Sequence, residues 1–287
     1  MKNTFYLIIS YISFISAIGQ HGKVMDNLTL DSKILKGERN FAVYLPANYD
    51  DSRRSYPVLY LLHGYTDNHM GWIQFGEVTH IADMAIKEGS ATPMIIVMPD
   101  ADTGLPGYTN AISGKWNYED FFFNELMPHV ENRFRIKKEK RYRAISGLSM
   151  GGGGSFLYAL HRPDLFSSAA PLSASLGPQS LEEMKDFPYV GYSKKEINQK
   201  VFDLYSKINN PLKLVDKMSK KDLNSVRWYI DCGDDDFLYK ANSLMHIKMR
   251  EKNIKHEFRI RDGGHTWDYW RSALPTVLSF VSKGFHQ

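Results

Sequence analysis

The sequence predicts an α/β fold in which helices cover both faces of a mostly parallel sheet. Residues 58–62 and 94–98 are continuous apolar runs, the pattern of strands that are buried on both sides. Segments with apolar residues at helical spacing alternate with these runs and with later strand-like segments. Such alternation is typical of parallel sheets, which bind their ligands beyond the carboxyl ends of the strands.

In the first half of the chain, each predicted element has its own pattern. Alternating apolar residues predict a strand over 41–45 that ends before Pro46. The apolar residues of 78–86 lie at helical spacing, and Gly89 is placed to end that helix. A longer stripe with the same spacing predicts another helix over 121–134.

The alternation continues to the end of the chain, with one interruption. Strands are predicted over 142–145, 167–172, 226–232 and 256–260, and helices over 156–160, 238–252 and 267–283, the last one bent by Pro275. Residues 176–224 break this order because they are polar, with scattered Pro and Gly and few apolar runs. We interpret them as an insertion over one end of the sheet that forms a partial lid. The alternative is a surface excursion without a role.

The first residues of the chain have the pattern of an export signal. A positive charge at Lys2, an apolar stretch over 5–18 and small residues before Gln20 predict a secretory signal peptide over 1–19. A membrane anchor is the alternative, but about 14 apolar residues are short for a span. Residues 20–287 then form one α/β domain of ordinary size. We expect export to the periplasm or the medium, with no stable membrane anchor after cleavage.

The charge and cysteine content exclude some classes of protein. The 287 residues include 36 Lys and Arg and 32 Asp and Glu, a formal net charge of +4. The two signs are interspersed without a basic stripe, so nucleic acid is not an expected partner. Cys232 is the one cysteine, which excludes a disulfide within the chain. Because it lies in an apolar strand, we expect a small buried side chain rather than a reactive thiol.

The centre of the chain contains a G-x-S-x-G motif, Gly147-Leu148-Ser149-Met150-Gly151, between a predicted strand and a predicted helix. In this context the sharp turn holds the serine in a strained conformation and projects its hydroxyl above the sheet edge. The flanking glycines leave room for the neighbouring elements. The motif therefore predicts Ser149 as a nucleophile, the alternative being an ordinary glycine-rich turn.

A serine nucleophile needs a base, and the base needs a carboxylate that orients it. In this architecture the chain order is serine, acid, histidine. The acidic loop after the strand over 226–232 offers Asp236, with Asp235 as the alternative, and His265 lies in a glycine-rich loop after the next strand. All these loops follow carboxyl ends of predicted strands, so the three residue types are expected at one edge of the sheet.

The remaining polar candidates have other expected roles. His63 is expected to shape the loop after its strand. Asp100 and Asp102 are expected to shape theirs, the alternative being a role in binding substrate or a cation. The other histidines lack metal-ligand spacing, and the carboxylates of 234–236 lack the alternating spacing of calcium loops. No metal site is therefore expected. The oxyanion of an ester intermediate needs donors, for which we predict the backbone N–H groups of Met150 and Tyr65.

Five segments of the chain together resemble the esterase D family. This family includes carbohydrate esterase family one (feruloyl and acetylxylan esterases), S-formylglutathione hydrolases and mycobacterial mycolyltransferases. The segments are residues 40–46 with 56–64, residues 115–128, the serine motif, residues 231–238 and residues 264–270. The resemblance implies an α/β-hydrolase fold without a cofactor. It places the nucleophile at Ser149, the acid at Asp236 and the base at His265.

Within the family, the export signal favours esterases of plant cell-wall polysaccharide, with an acylated oligosaccharide as substrate and feruloyl or acetyl as the acyl group. Short-acyl and siderophore esterases, a formylglutathione hydrolase, acyl transfer to a sugar, and a non-catalytic binding module on the same fold remain alternatives. A phenolic acyl group would require an aromatic wall. The candidates are Trp72, Tyr108, Trp116, Tyr118 and Trp267.

Overall fold

The computed structural model describes residues 21–101, 107–187 and 192–286, so the predicted signal peptide lies outside the described residues. Eight strands form one sheet: β1 (Lys23–Ser32), β2 (Gly37–Leu45), β3 (Val58–Leu62), β4 (Ile95–Pro99), β5 (Arg143–Leu148), β6 (Ser168–Leu172), β7 (Arg227–Gly233) and β8 (His256–Arg261). Their order is β1-β2-β4-β3-β5-β6-β7-β8. β1 and β2 are antiparallel to their neighbours, and the other strand pairs are parallel. The predicted mostly parallel sheet is thus confirmed.

The helices follow the predicted alternation, and the insertion adds four more. They are α1 (Gly71–Gln74), α2 (Val78–Lys87), α3 (Tyr118–Phe121), α4 (Met127–Arg133), α5 (Met150–His161), α6 (Leu181–Lys185), α7 (Gln199–Asn209), α8 (Pro211–Lys217), α9 (Lys220–Leu223), α10 (Tyr239–Glu251) and α11 (Trp267–Gly284). A π-helical turn over Phe122–Leu126 joins α3 to α4. A short 3₁₀ turn over Lys140–Tyr142 precedes β5. None of the helices in the described ranges is both long and apolar enough to cross a membrane.

The central strands are buried on both faces, as their apolar runs predict. In β3, Tyr60 belongs to the buried cluster that includes side chains of α4, α5 and α10, whereas Leu59 and Leu61 belong to the cluster that includes side chains of α2 and α11. The two apolar layers are separate clusters of buried side chains. This arrangement holds β5, β6, β7 and β8 side by side. The loops at their carboxyl ends therefore meet at one edge.

The structure contains one strand and several helices that the sequence analysis did not predict. β1 was not predicted, because most of its side chains are exposed or half-buried and a bulge between Met25 and Leu28 breaks its alternation. The described residues of the insertion, 176–187 and 192–224, contain the helices α6 to α9, for which the sequence analysis predicted no secondary structure. Cys232 is buried in β7, as predicted, and burial raises the pKa of its thiol to about 12.

Candidate active site

The turn between β5 and α5 holds Ser149 in a strained backbone conformation, as the motif predicts. Its φ is 54° and its ψ is −115°, a region that residues with a Cβ rarely adopt. The turn is tight because the neighbouring glycines have no side chain. A Cβ on Gly151 would lie 2.6 Å from the carbonyl oxygens of Leu62 and His63, and one on Gly147 would lie 2.7 Å from the Cβ of Leu62. Substitution of either glycine would push the turn away from β3.

Three side chains from distant parts of the chain form a hydrogen-bonded row. His265 Nε2 lies 2.9 Å from the hydroxyl oxygen of Ser149, and its Nδ1 lies 2.8 Å from Oδ2 of Asp236. Asp236 is fully buried, and the His265 side chain is 19% exposed. The hydroxyl follows β5, the carboxylate follows β7 and the imidazole follows β8. The parallel strands thus bring together the three residues that the sequence selects.

The Asp236 carboxylate is held by donors on several sides. The Leu238 N–H donates to Oδ1 at 2.8 Å, and the Ser173 hydroxyl also hydrogen-bonds the carboxylate. Ser173 in turn accepts a hydrogen bond of 3.0 Å from the indole N–H of Trp270. Burial alone would raise the pKa of Asp236, but the hydrogen bonds from His265, Leu238 and Ser173 outweigh it and lower that pKa. Asp236 is therefore negatively charged at neutral pH.

Asp235, the alternative acid, points elsewhere. It is exposed and belongs to a group of three carboxylates, with Asp234 and Asp262, whose oxygens lie within 4.8 Å of one another. In the described part of the chain this is the one cluster of metal-binding side chains, and exposed acidic groups of this kind are common without an ion. Of the two candidate acids, only Asp236 contacts His265.

Two aromatic rings contact the His265 imidazole. Trp270 meets it edge-on, with ring centroids 4.8 Å apart and planes at 89°. Phe237 lies 4.5 Å away at a tilt of 50°, and 71% of its surface is exposed. The imidazole is thus fixed from the protein side by Trp270 and flanked on the solvent side by Phe237.

A cavity of about 420 Å³ opens at Ser149, and we call it the inner cavity. Its walls are mostly apolar, and Tyr108 and Leu157 are among the lining residues. The insertion contributes Phe187 and Tyr205 to the lining. The insertion therefore shapes the space in front of the serine. Its action as a lid stays a prediction.

The two predicted oxyanion donors belong to residues that line the inner cavity beside Ser149. Met150 begins α5 directly after the serine. Tyr65 belongs to the loop after β3, which lies against the serine, because a Cβ on Gly64 would be 3.5 Å from the Cβ of Ser149. Donation from the Met150 and Tyr65 N–H groups to an oxyanion stays a prediction.

The predicted aromatic wall requires correction. Trp72, Trp116 and Tyr118 are buried, and each donates to a backbone carbonyl, those of Leu62, Gly107 and Asp100 respectively. They stabilise the core and the loops and do not line the inner cavity.

Trp267 also lies away from the inner cavity. Its ring packs on Trp72 at a centroid distance of 5.2 Å and on Phe75 at 5.8 Å. Of the five predicted aromatic residues, only Tyr108 lines the inner cavity. Sequence reasoning missed Phe187, Tyr205 and Phe237, which complete the aromatic wall.

His63 shapes its own loop, as the sequence predicts. Its Nδ1–H donates to the Gly64 carbonyl at 2.8 Å, and its Nε2 accepts from the Ala101 N–H at 2.9 Å. This pair of bonds requires a neutral ring with the proton on Nδ1. Burial lowers the pKa of His63 to about 4, so the ring is neutral at physiological pH. The Asp100 carboxylate lies 3.7 Å from Nε2, beside the same loop, whereas Asp102 lies outside the described residues.

The parallel sheet and the serine turn define the chain as an α/β-hydrolase. Residues 32–281 match the model of the family described as "Putative esterase". The chain belongs to this esterase family, and its members are carboxylic ester hydrolases. The predicted resemblance and fold class are thereby confirmed.

Relatives and solved structures support the same assignment. A ferulic acid esterase structure is 36% identical, with a TM-score of 0.81 over 93% of this chain and 99% of that one. An acetyl esterase of Caldicellulosiruptor saccharolyticus is 25% identical over 88% of this chain and 96% of its own length. An endo-1,4-beta-xylanase/feruloyl esterase of Xylanibacter ruminicola is 36% identical over 54% of this chain, which corresponds to only 22% of that longer protein.

Proposed function

We propose that this esterase acts through an acyl-enzyme formed on Ser149. The observation that supports this most directly is the row of hydrogen bonds from Ser149 through His265 to the buried Asp236, with distances of 2.9 and 2.8 Å. A neutral imidazole can accept the serine proton through Nε2 while its Nδ1–H stays bonded to the carboxylate. The negative charge of Asp236 stabilises the imidazolium that results.

The reaction then proceeds in two halves. The Ser149 oxygen attacks the ester carbonyl, and the oxyanion accepts hydrogen bonds from the Met150 and Tyr65 N–H groups. The ester C–O bond breaks as His265 passes its proton to the leaving alcohol. A water molecule, deprotonated by His265, next attacks the acyl-enzyme, and His265 returns this proton to the Ser149 oxygen as the acyl C–O bond breaks and the acid leaves.

For the substrate, we propose feruloyl or acetyl groups on plant cell-wall polysaccharide. The names of the relatives support this class, and one of them joins a xylanase to a feruloyl esterase. The inner cavity is also suitable, because about 420 Å³ of mostly apolar space is within the range of small-molecule sites. Tyr108, Phe187 and Tyr205 offer aromatic surface to a phenolic ring.

The nucleophile is tested by Ser149→Ala with methyl ferulate as substrate. We expect kcat to fall by at least about 10⁴-fold, since the covalent step is lost. Ser90→Ala, at an exposed serine of the α2 end, is the matched control and should retain full activity. A fluorophosphonate probe should label the wild type and the control but not Ser149→Ala. Undiminished turnover by a folded Ser149→Ala variant would refute the proposal.

The acyl group is tested by a panel of esters with the purified mature protein. Feruloylated and acetylated xylo-oligosaccharides are compared with longer-chain aryl esters, and the released acids are quantified by chromatography. We expect kcat/KM to be highest for one of the two oligosaccharide esters. A preference for long acyl chains would contradict the proposed substrate class. Product analysis with added free oligosaccharide separates hydrolysis from acyl transfer.

We further propose that residues 1–19 direct export of the protein and that the signal peptide is cleaved off between residues 19 and 20. The support is the pattern of Lys2, the apolar stretch over 5–18 and the small residues that follow it. Expression with a carboxyl-terminal tag in a Gram-negative host, followed by fractionation, tests this. The tagged protein should leave the cytoplasm with a new amino terminus at Gln20, and a full-length cytoplasmic product would contradict export.

A further inference from the structure

A second cavity, of about 500 Å³, adjoins the inner cavity, and we call it the outer cleft. The two spaces share lining residues on one boundary: Ser175, Leu176, Gly177, Phe187, Phe237 and Leu238. The outer cleft does not reach Ser149 itself, whereas the inner cavity does. A substrate can therefore extend from the serine into both spaces.

Phe237 stands on the shared boundary, in the loop between β7 and α10. With 71% of its surface exposed, it is the most exposed of the large apolar residues in the described part of the chain. Because it also lines both cavities beside Ser149, this exposed ring is available to contact a bound substrate. Its ring also lies 4.5 Å from the His265 imidazole. An aromatic face therefore lies next to His265, the proposed general base and acid.

The route of that proton determines which part of an ester lies near Phe237. His265 Nε2 is bonded to the Ser149 oxygen at 2.9 Å, and the same nitrogen passes the proton to the leaving alcohol oxygen. The alcohol part of the ester must therefore lie on the His265 side when the C–O bond breaks. The acyl part remains on Ser149, at the mouth of the inner cavity.

The side chains of the outer cleft match the surface of a sugar. Pro178, Ala241 and Leu244 supply apolar surface, and Gln179, Glu183 and Lys240 supply polar and charged groups. A sugar ring also combines apolar and polar surface, because its C–H faces are apolar and its rim carries hydroxyl groups. Aromatic side chains offer a flat apolar face for such a ring.

We propose that the outer cleft is the subsite for the sugar residues of the leaving alcohol, with Phe237 as the face on which one ring stacks. This rests on the proposed function, because it requires that Ser149 and His265 perform the ester cleavage. It adds a subsite that separates an oligosaccharide ester from a simple alkyl ester of the same acid.

The test compares two esters of one acid, methyl ferulate and a feruloylated arabinoxylo-oligosaccharide. The measured quantity is the ratio of kcat/KM for the oligosaccharide ester to that for the methyl ester. Phe237→Ala should lower this ratio by at least about fivefold, because any contact of the ring with the shared acyl group cancels in the ratio and only the larger alcohol gains from the stacking. Phe237→Trp keeps an aromatic face at this position and should keep the ratio close to the wild-type value. Tyr239→Ala removes another exposed aromatic two residues away, which lines neither cavity, and should leave the ratio unchanged.

An unchanged ratio in Phe237→Ala would overturn the subsite. This includes an equal loss with both esters, because Phe237 would then act only on His265 or on the shared acyl group. Binding of the unesterified oligosaccharide to the Ser149→Ala variant, measured by calorimetry, examines the outer cleft without turnover, and Phe237→Ala in that background should weaken it. Failure of wild type to cleave either ester refutes the proposed function, whereas turnover without a ratio effect refutes the subsite alone.

Discussion

Asp235 and Asp236 are adjacent carboxylates with opposite surroundings. Asp236 is fully buried and accepts hydrogen bonds from His265 and the Leu238 N–H. Asp235 is exposed, and its carboxylate faces Asp234 and Asp262. Because the Asp236 carboxylate is hydrogen-bonded to His265, the proposed base, and Asp235 is not, the two residues should differ in their effect on catalysis.

We therefore predict that Asp236→Asn lowers kcat by about 10³- to 10⁴-fold, since the amide cannot hold the imidazole in the required tautomer with the same charge. Asp235→Asn should stay within about twofold of the wild type. Steady-state kinetics on an aryl ester at pH 7 measures both. A loss in Asp235→Asn as large as that in Asp236→Asn would contradict the assignment of the acid.

Ser149, Asp236 and His265 could be selected from the sequence because each follows the end of a recognisable strand, in the expected order along the chain. Ser173 could not be predicted from the sequence. Its hydrogen bond with Trp270 joins residues 97 positions apart and depends on the packing of α11 against the sheet. The aromatic residues were misplaced for a related reason. A sequence does not show which tryptophans use their indole N–H inside the core, as Trp72 and Trp116 do.

At the scale of elements, a buried ion pair joins α4 to the central strand β5. Arg143 Nε and Nη2 donate to the two carboxylate oxygens of Glu131 at 2.6 and 2.9 Å, and the Tyr60 hydroxyl donates to the same carboxylate at 3.3 Å. Glu131 is 6% and Arg143 9% exposed. Removal of one partner from such a pair leaves a buried charge without compensation.

We predict that Glu131→Gln lowers the free energy of unfolding by about 3 kcal/mol. Glu257→Gln breaks the exposed pair with Arg259 on β8 and should cost less than about 0.5 kcal/mol. Urea unfolding of both variants gives the comparison. Equal effects would show that burial does not govern this contact.

The elements also differ in how far their sequences predict them. β3 and β4 are buried along their whole length, so their apolar runs are unambiguous. The insertion helices are short, but their first turns carry readable signals. Ser180, Asn198, Asn210 and Ser219 each accept a hydrogen bond from the backbone N–H three residues on. Those capping residues were visible in the sequence. The packing that makes such short helices stable was not.

For the whole molecule, His63 links stability to pH. Burial lowers its pKa from an ordinary value of 6.5 to about 4, and both ring nitrogens are engaged as the neutral form requires. Between these two values the unfolded chain binds a proton that the folded chain does not. The free energy of unfolding must therefore decrease as the pH falls from 6.5 towards 4.

We predict that this single group costs up to about 3 kcal/mol of stability by pH 4. Urea unfolding at pH 7 and at pH 4.5 gives the free energy of unfolding of wild type and of His63→Gln. The decrease between the two pH values should be smaller in His63→Gln than in wild type. His80→Gln, at an exposed histidine of α2, is the control and should behave as the wild type. A wild-type pH dependence in His63→Gln would contradict the assignment.

If His265 is the base, as we propose, the position of β8 determines when the protein can acquire its activity. β8 is the outermost strand on its side of the sheet and pairs with β7 alone among the described strands. The loop that it carries brings His265 to Ser149, 116 residues earlier in the chain. In the proposed mechanism, the ribosome must therefore synthesise the chain at least as far as residue 265 before the imidazole can reach the hydroxyl. We expect nascent chains and fragments that lack β8 and its loop to be inactive towards esters, even where the other strands have folded.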